Sequence, residues 1–399
     1  MRTLIDPDKR RAPILCWADD ADVETLRQAE NLASLPFVVD HIALMPDAHV
    51  GFGMPIGGVV ATEGVVIPNA VGVDIGCGMV AWRTGVAAAG MRPWFEAIVA
   101  SIQQEIPVGF EHRRPRIGEK LAERWCPQLL GLLESRPRAT AYLSGYDKIV
   151  EQVGTLGGGN HFIELQSDPD GVLWVMLHSG SRNVGLQINA RFNKLAKQMH
   201  KSSPGASMGL SHLEADSDAG RDYIAHMQFA LEFARCNRLV MMRLCQEIVR
   251  HTPGGHEASS DDADGSLINI HHNYAAMEEH LGRRLWVHRK GATSARAGQT
   301  GIIPGSMGTR SYIVRGLGSP ASFMSCSHGA GRVMGRKQAR ERITMTRFKE
   351  SMAGVLFDAK PANLDEAPDA YKDIDTVMAS QRDLVAIVTE LRPLAVVKG

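Results

Sequence analysis

The chain has 399 residues, enough for one large domain or two ordinary ones. Chains of ~300 residues already bury roughly three quarters of their surface, so a core can form without disulfide or metal staples. Apolar residues make up 44% and charged residues 22%, which excludes a disordered chain; Lys+Arg and Asp+Glu balance at 44 each, so net charge points to no polyanionic partner.

Residues 22–35 read as a helix, and residues 41–79 alternate β-branched residues with glycines, the pattern of strands and tight loops. Arg92-Pro93 opens a helix that carries Trp94, Ile98 and Ile102 on one face and stops at Pro107-Val108-Gly109. Arg113, Arg114 and Arg116 fall in a polar loop. Residues 157–164 form a glycine turn entering a strand, and residues 172–178 a second strand. Ile224, Met227, Leu231, Ala234, Met241, Cys245 and Ile248 recur at helical spacing across residues 221–250, before Pro253-Gly254-Gly255. The flanking stretches 202–220 and 256–265 look like surface insertions, the second acidic around Asp261. Residues 332–347 read as a basic helix and 376–391 as a final amphipathic one. Interleaved strands and helices without repeat or linker predict a single α/β domain over residues 1–399. Six cysteines do not make a secreted disulfide scaffold, no window is apolar over the ~18 residues a membrane helix needs, and the first residues lack a signal-peptide core. A cytoplasmic, reducing setting is expected.

Glycine is the compositional outlier at 40 residues, and the excess clusters beside metal-capable side chains. Asp47 and His49, Asp74 and Cys77, Asn160 and His161, His178, and His271-His272 all stand near glycines or strand ends. Asp74 and Cys77 lie three apart in one turn, where both can reach a single ion. An Asp, a Cys and three His exceed the four ligands of one structural zinc site; a thiolate bridging two ions accounts for the count and leaves open positions. The donor types do not choose the metal, although Cys with His ordinarily favours zinc over manganese.

Two glycine loops add phosphate chemistry. Residues 154–160 could cradle phosphates through backbone amides, without the Gly-Lys-Ser/Thr ending of a Walker loop. Residues 304–309 offer a second small-residue loop with hydroxyls. In SCSHGAGR, His328 sits among side chains of almost no bulk, ahead of the expected basic helix, whose N-terminus would favour an anion. Arg332, Arg336 and Arg340 fall four apart on one face, and residues 288–293 form a second basic loop; both fit either a solvated surface or contacts to an RNA or DNA backbone.

Read in order, the segments MPDAHVGFGMPIGGV, VGVDIGCGM, GTLGGGNHFIEL, LHSGSRNVG, HHNYA, HRKGAT, PGSMGTRSY, SCSHGAGR and the final VVKG resemble the RtcB family of GTP-dependent RNA ligases over nearly the whole chain. The resemblance implies a compact sandwich of stacked mixed β-sheets surrounded by helices. It implies an enzyme that joins RNA 2′,3′-cyclic phosphate or 3′-phosphate ends to 5′-hydroxyl ends, using GTP and two Mn²⁺ ions, in RNA repair or tRNA splicing. By the same resemblance Asp74, Cys77, His161, His178 and His272 are metal ligands, with Cys77 bridging. His328 is the nucleophile that takes GMP, with Asp47 in the reacting chemistry. Asn160, Glu164, Ser306, Gly329, Ala330, Gly331, Arg332, Tyr371 and Lys398 meet the guanylate, and Arg182 and Lys290 the RNA. A monomer without membrane attachment, with room for an activating accessory protein, is expected. Two other readings keep the fold but not the ligation: a two-metal cyclic phosphodiesterase that needs no His328, and a non-ligating RNA-binding member.

Overall fold

The computed structural model describes residues 1–5, 11–134, 145–259 and 267–399; the acidic stretch expected around Asp261 lies outside them. Strands buried along nearly their whole length form two large sheets, each apolar on both faces, beside two two-stranded ones. The first runs Arg2–Leu4, Ile14–Cys16, Val38–His49, Ile56–Thr62, Arg283–Lys290, Asn273–His280. Ile14–Cys16 pairs parallel with Val38–His49 and antiparallel with Arg2–Leu4, so this sheet is mixed. The second runs Leu267–His271, Gly78–Ala87, Val172–Ser179, Phe162–Ser167, Val385–Lys398, Ser311–Gly316, Thr300–Ile303, with antiparallel neighbours throughout.

Ala43, Met45, Val59, Ala61, Leu285 and Val287 of the first sheet share a core with Tyr312, Val314 and Val385 of the second, so the sheets pack face to face. On the first sheet's outer face Ile14, Ile42, Leu44 and Val60 bury Ala29, Leu32 and Ala33 of the helix Val23–Ala33, which Asp22 caps by accepting from the Thr25 amide. Along Gly78–Ala87, Val80 and Trp82 point into the largest core, beneath the helices Phe95–Glu105 and Asp218–His251; Met79 and Ala81 point to the opposite cluster.

The stacked mixed α/β architecture is the expected one; several elements are not. Residues 376–391 do not form one helix: Ile374–Ser380 is helical, and Val385–Lys398 is a strand rich in β-branched residues, paired on both edges. Its register shifts between Pro393 and Ala395, where the proline ring cannot donate to a ladder. The basic stretch splits as well. Arg332 bridges Tyr371, Gly335 precedes the helix Arg336–Arg342, and Thr344 caps a separate helix, Met345–Ser351. Of the arginines expected in a loop, Arg113 and Arg114 precede the helix Pro115–Trp125 and Arg116 lies in its first turn; Arg113 is held by the carbonyls of Val153 and Gly154. Trp94, expected on the buried face, is 41% exposed, whereas Ile98 and Ile102 are buried. Cys126 and Cys236 form a disulfide, which the cysteine count did not anticipate; Cys16, Cys77, Cys245 and Cys326 are free. Among the described residues no helix is long and apolar enough to cross a membrane.

Candidate functional site

The centre of the molecule is a cluster of donor atoms at the ends of second-sheet strands. Cys77 precedes the strand Gly78–Ala87, His161 immediately precedes Phe162–Ser167, His178 lies at the end of Val172–Ser179, and His272 follows Leu267–His271. Cys77 Sγ lies 3.1 Å from His178 Nε2 and 3.6 Å from His161 Nε2. Asp74 Oδ2 lies 3.2 Å from His161 Nε2, and the Nε2 atoms of His178 and His272 are 3.2 Å apart.

Outer partners fix which nitrogen faces inward. His161 Nδ1 donates to the Leu156 carbonyl at 2.9 Å and His178 Nδ1 to that of Asn160 at 3.1 Å, leaving each Nε2 lone pair directed at the cluster. The choice between His271 and His272 is settled by direction. His271 Nδ1 lies 3.0 Å from the Gly76 carbonyl and 3.1 Å from Arg238 Nη2, whereas His272 faces His178.

Two adjacent residues on the long helix hold this arrangement, and no local pattern marked either. Asn237 Oδ1 accepts from the Gly154 and Thr155 amides, and its Nδ2 donates to the Thr155 carbonyl. Arg238, fully buried, donates to the carbonyls of Gly76 and Ser179. Burial pushes its pKa down, to about 10, which leaves it charged at neutral pH. The helix thereby clamps both the 154–160 loop and the Asp74–Cys77 turn. An Asn or Arg inside an amphipathic pattern reads as an ordinary interruption; only the packing reveals its partners.

The donor set fits metal ions. Ligands 2.0–2.1 Å from a tetrahedral centre stand about 3.3 Å apart, close to the spacings here. Asp74 Oδ1 is buried with no hydrogen-bond partner among the described residues, an unmet acceptor that a cation would satisfy. Burial holds His178 and His272 well below the ordinary imidazole range, so both are neutral lone-pair donors. Burial, followed by the Asp74 charge, raises the Cys77 thiol well above its ordinary value; a positive ion would reverse that balance.

His328 stands against this cluster, its ring 4.8 Å from that of His272 in edge contact. It is not at a helix start: it follows the short strand Ser325–Ser327, and the next helix begins only at Arg336. The anion preference expected from a helix N-terminus therefore does not apply. What orients the ring is Asp47, which is wholly buried. Asp47 Oδ2 accepts from His328 Nδ1 at 2.6 Å, from the His328 amide at 3.0 Å and from the Gly329 amide at 3.2 Å. With Nδ1 committed, Nε2 carries the available lone pair. Gly331 is required here: at φ +74°, a Cβ would lie 2.2 Å from the Asp47 carbonyl oxygen.

A cleft opens beside His328, lined by Asn160, Phe162, Ser306, Gly329, Ala330, Gly331, Arg332, Tyr371 and Lys398. Glu164 lies just behind that lining, two residues along the strand from Phe162; it is buried and accepts from Gln166 Nε2 at 2.6 Å. His49, Arg336 and Glu366 also line the cleft and were not anticipated in this role. The basic face is not free. Arg336 pairs with Asp365 and Glu366 at 2.7 and 2.8 Å, Arg340 with Asp365 at 3.1 Å, and Lys398 with Glu366 at 2.9 Å. Tyr371 Oη donates to Glu366 at 2.7 Å. Burial opposes ionisation of Glu366, but Lys398 and Arg336 overcome it and hold the carboxyl below its ordinary range. Arg332, Arg336 and Lys398 form a wall of the cleft anchored by Asp365 and Glu366, and Arg340 braces Asp365 from outside the lining.

The two residues expected at RNA differ. Arg182 stands at φ +58°, ahead of the helix Asn183–Met199, and donates to Thr155 Oγ1 and the Gly109 carbonyl beside the Cys/His/Asp cluster. Lys290 is buried, and its Nζ donates to the carbonyls of Phe52, Met54 and Asn69 at 2.7, 3.1 and 3.1 Å. All three N–H bonds are used, so Lys290 is a support for the 52–54 loop and not an RNA contact.

Fold and site define a mixed α/β protein in which a Cys/His/Asp cluster adjoins a histidine-bearing cleft. A family model described as "tRNA-splicing ligase RtcB" matches residues 28–399. The RNA-splicing ligase RtcB of Escherichia coli K12 is 40% identical over 404 residues, spanning 97% of this chain and 98% of its own. The tRNA-splicing ligase RtcB of Pyrobaculum aerophilum is 32% identical, over 98% and 95%. The RNA-splicing ligase RtcB of Mycobacterium bovis is 31% identical, over 93% and 100%. The chain belongs to the RtcB family.

Proposed function

We propose that this protein is an RNA ligase that seals 2′,3′-cyclic phosphate or 3′-phosphate ends to 5′-hydroxyl ends through a guanylylated His328, in RNA repair or tRNA splicing. One observation supports this reading above others: Asp47 holds His328 Nδ1 while the ring lies against His272 and lines the cleft. A phosphodiesterase would not need an imidazole oriented in this way.

In this reading Nε2 of His328 attacks the α-phosphorus of GTP, a P–N bond forms, and pyrophosphate leaves with the electron pair of the broken P–O bond. Asp47 keeps the proton on Nδ1 and stabilises the positive charge that the ring acquires. Ser306, Tyr371 and Lys398, with Glu164 behind the lining, hold the guanosine end; Arg332 and the 329–331 backbone face the phosphate. Water opens a cyclic end to the 3′-phosphate, the 2′-oxygen leaving with the proton; an oxygen of the 3′-phosphate then takes GMP from His328, and the 5′-hydroxyl displaces GMP to leave the phosphodiester. Asp74, Cys77, His161, His178 and His272 would hold two manganese ions, which when bound neutralise phosphate charge and activate attacking oxygens. Arg182, held beside that centre by Thr155 and Gly109, would meet the RNA phosphate.

The test is incubation with α-labelled GTP and Mn²⁺, then denaturing electrophoresis. Acid-labile, alkali-stable label on the wild type and none on His328→Ala is expected. Label that survives in His328→Ala, or opening of cyclic phosphates by a wild type that never becomes labelled, overturns the proposal.

A further inference from the structure

Away from the cleft, a second group of ligand-type side chains converges where the helix Asn183–Met199 ends. His200 is the residue that closes that helix, His212 immediately precedes the strand Leu213–Glu214, and Glu214 lies in it. His200 Nε2 lies 3.3 Å from Glu214 Oε1 and His212 Nε2 lies 3.7 Å from the same oxygen. The two imidazoles are stacked with centroids 4.1 Å apart, so both ring edges address one carboxylate. The helix begins next to Arg182 at the metal cluster and its 17 residues rise about 25 Å, which separates the two places.

We infer that His200, His212 and Glu214 form a second metal site, for a zinc-class divalent ion. Three features favour this over a plain ion pair. First, His200 Nε2 is shielded from solvent and makes no hydrogen bond among the described residues, although the carboxylate oxygen is 3.3 Å away. An ion pair would aim an N–H at that oxygen; a lone pair aimed at a shared ion would not. Second, about 3.3 Å is the ligand-to-ligand edge of a tetrahedral site with 2.0–2.1 Å bonds, and two imidazoles with a carboxylate suit zinc. Third, the two rings lie nearly parallel, 23° apart, and both Nε2 atoms converge on the same carboxylate oxygen, as donors sharing one ion would.

Each donor rests on fixed backbone. The His200 carbonyl accepts from the Ser203 amide at 3.0 Å, and the Glu214 carbonyl accepts from Ser217, which caps the long helix. Phe37 packs at 4.5 Å against the His212 ring. An ion would therefore close the 201–211 segment between its two ends. That segment reaches toward the cleft's supports: the Gly209 carbonyl accepts from Asn69 Nδ2, and the Asn69 carbonyl accepts from Lys290.

The full chain, without a histidine tag, would be titrated with Zn²⁺ against a chromophoric chelator, alongside His212→Gln, Glu214→Gln and a Cys77→Ser/His161→Ala variant. The inference expects the two surface variants each to lose one equivalent of bound zinc, with affinity at that equivalent falling by at least the roughly 10–100-fold that even an outer-shell partner is worth. The Cys77→Ser/His161→Ala chain keeps that equivalent. In cobalt-loaded samples the near-ultraviolet thiolate absorption from Cys77 stays unchanged in both surface variants. Unaltered zinc stoichiometry in both surface variants overturns the inference, as does absence of bound zinc from the Cys77→Ser/His161→Ala chain.

Discussion

Glu164 offers a test of the site's electrostatics that needs no nucleotide or RNA. Burial pushes its carboxyl up from an ordinary 4.5 to about 8, opposed by the Gln166 hydrogen bond and the Lys398 charge. The folded chain therefore keeps a proton that the unfolded chain has released between these values. Stability must fall as pH rises from about 4.5 to about 8, and be flat with respect to this group outside that window. At ~1.4 kcal/mol for each pH unit crossed, the loss amounts to at most about 5 kcal/mol. Glu164→Gln keeps an oxygen to accept from Gln166 and removes the titration. Denaturant unfolding of both proteins at pH 5 and pH 8.5 isolates the effect, because all other groups cancel in the difference. The expected result is that Glu164→Gln gains on the order of 3–5 kcal/mol on wild type across that interval. Parallel stability curves would show that Glu164 is ionised in the fold and refute the reasoning.

Gly180→Ala should expel the Asp74 carboxylate, since the new Cβ would lie 2.2 Å from Oδ1; bound metal measured after desalting should drop with affinity reduced ~10–100-fold, and full stoichiometry would contradict the packing. Asp47→Asn retains shape but removes the charge that steadies the His328 ring; GMP labelling should slow by roughly 10²–10⁴ with an unchanged circular dichroism spectrum, and a normal labelling rate would deny Asp47 its orienting role. Lys290→Met leaves three buried carbonyls without their donor and should cost about 2–5 kcal/mol in unfolding free energy. Its salt dependence of RNA affinity should match wild type; a shallower slope would return Lys290 to the RNA surface.

The sequence by itself determined what local pattern can encode: the α/β class, the strands within residues 41–79 and at Phe162–Ser167 and Val172–Ser179, the long helix, and a family resemblance carried by ordered motifs. It also singled out Asp74, Cys77, His161, His178 and His328, because chemistry-bearing side chains beside glycines stand out without knowledge of their neighbours. Tertiary structure alone decided direction and partnership. It turned His272 rather than His271 toward the cluster, gave Asp47 to His328, and withdrew Lys290 into a cage of carbonyls. It converted an arginine face into a cleft wall through Asp365 and Glu366, which lie some thirty residues further along the chain. Residues 385–398 became a strand because the second sheet offered two edges to pair, a long-range gain that outweighs an amphipathic helical pattern. Periodicity reports which side of an element is apolar; which buried polar atoms face one another is fixed only when distant segments pack.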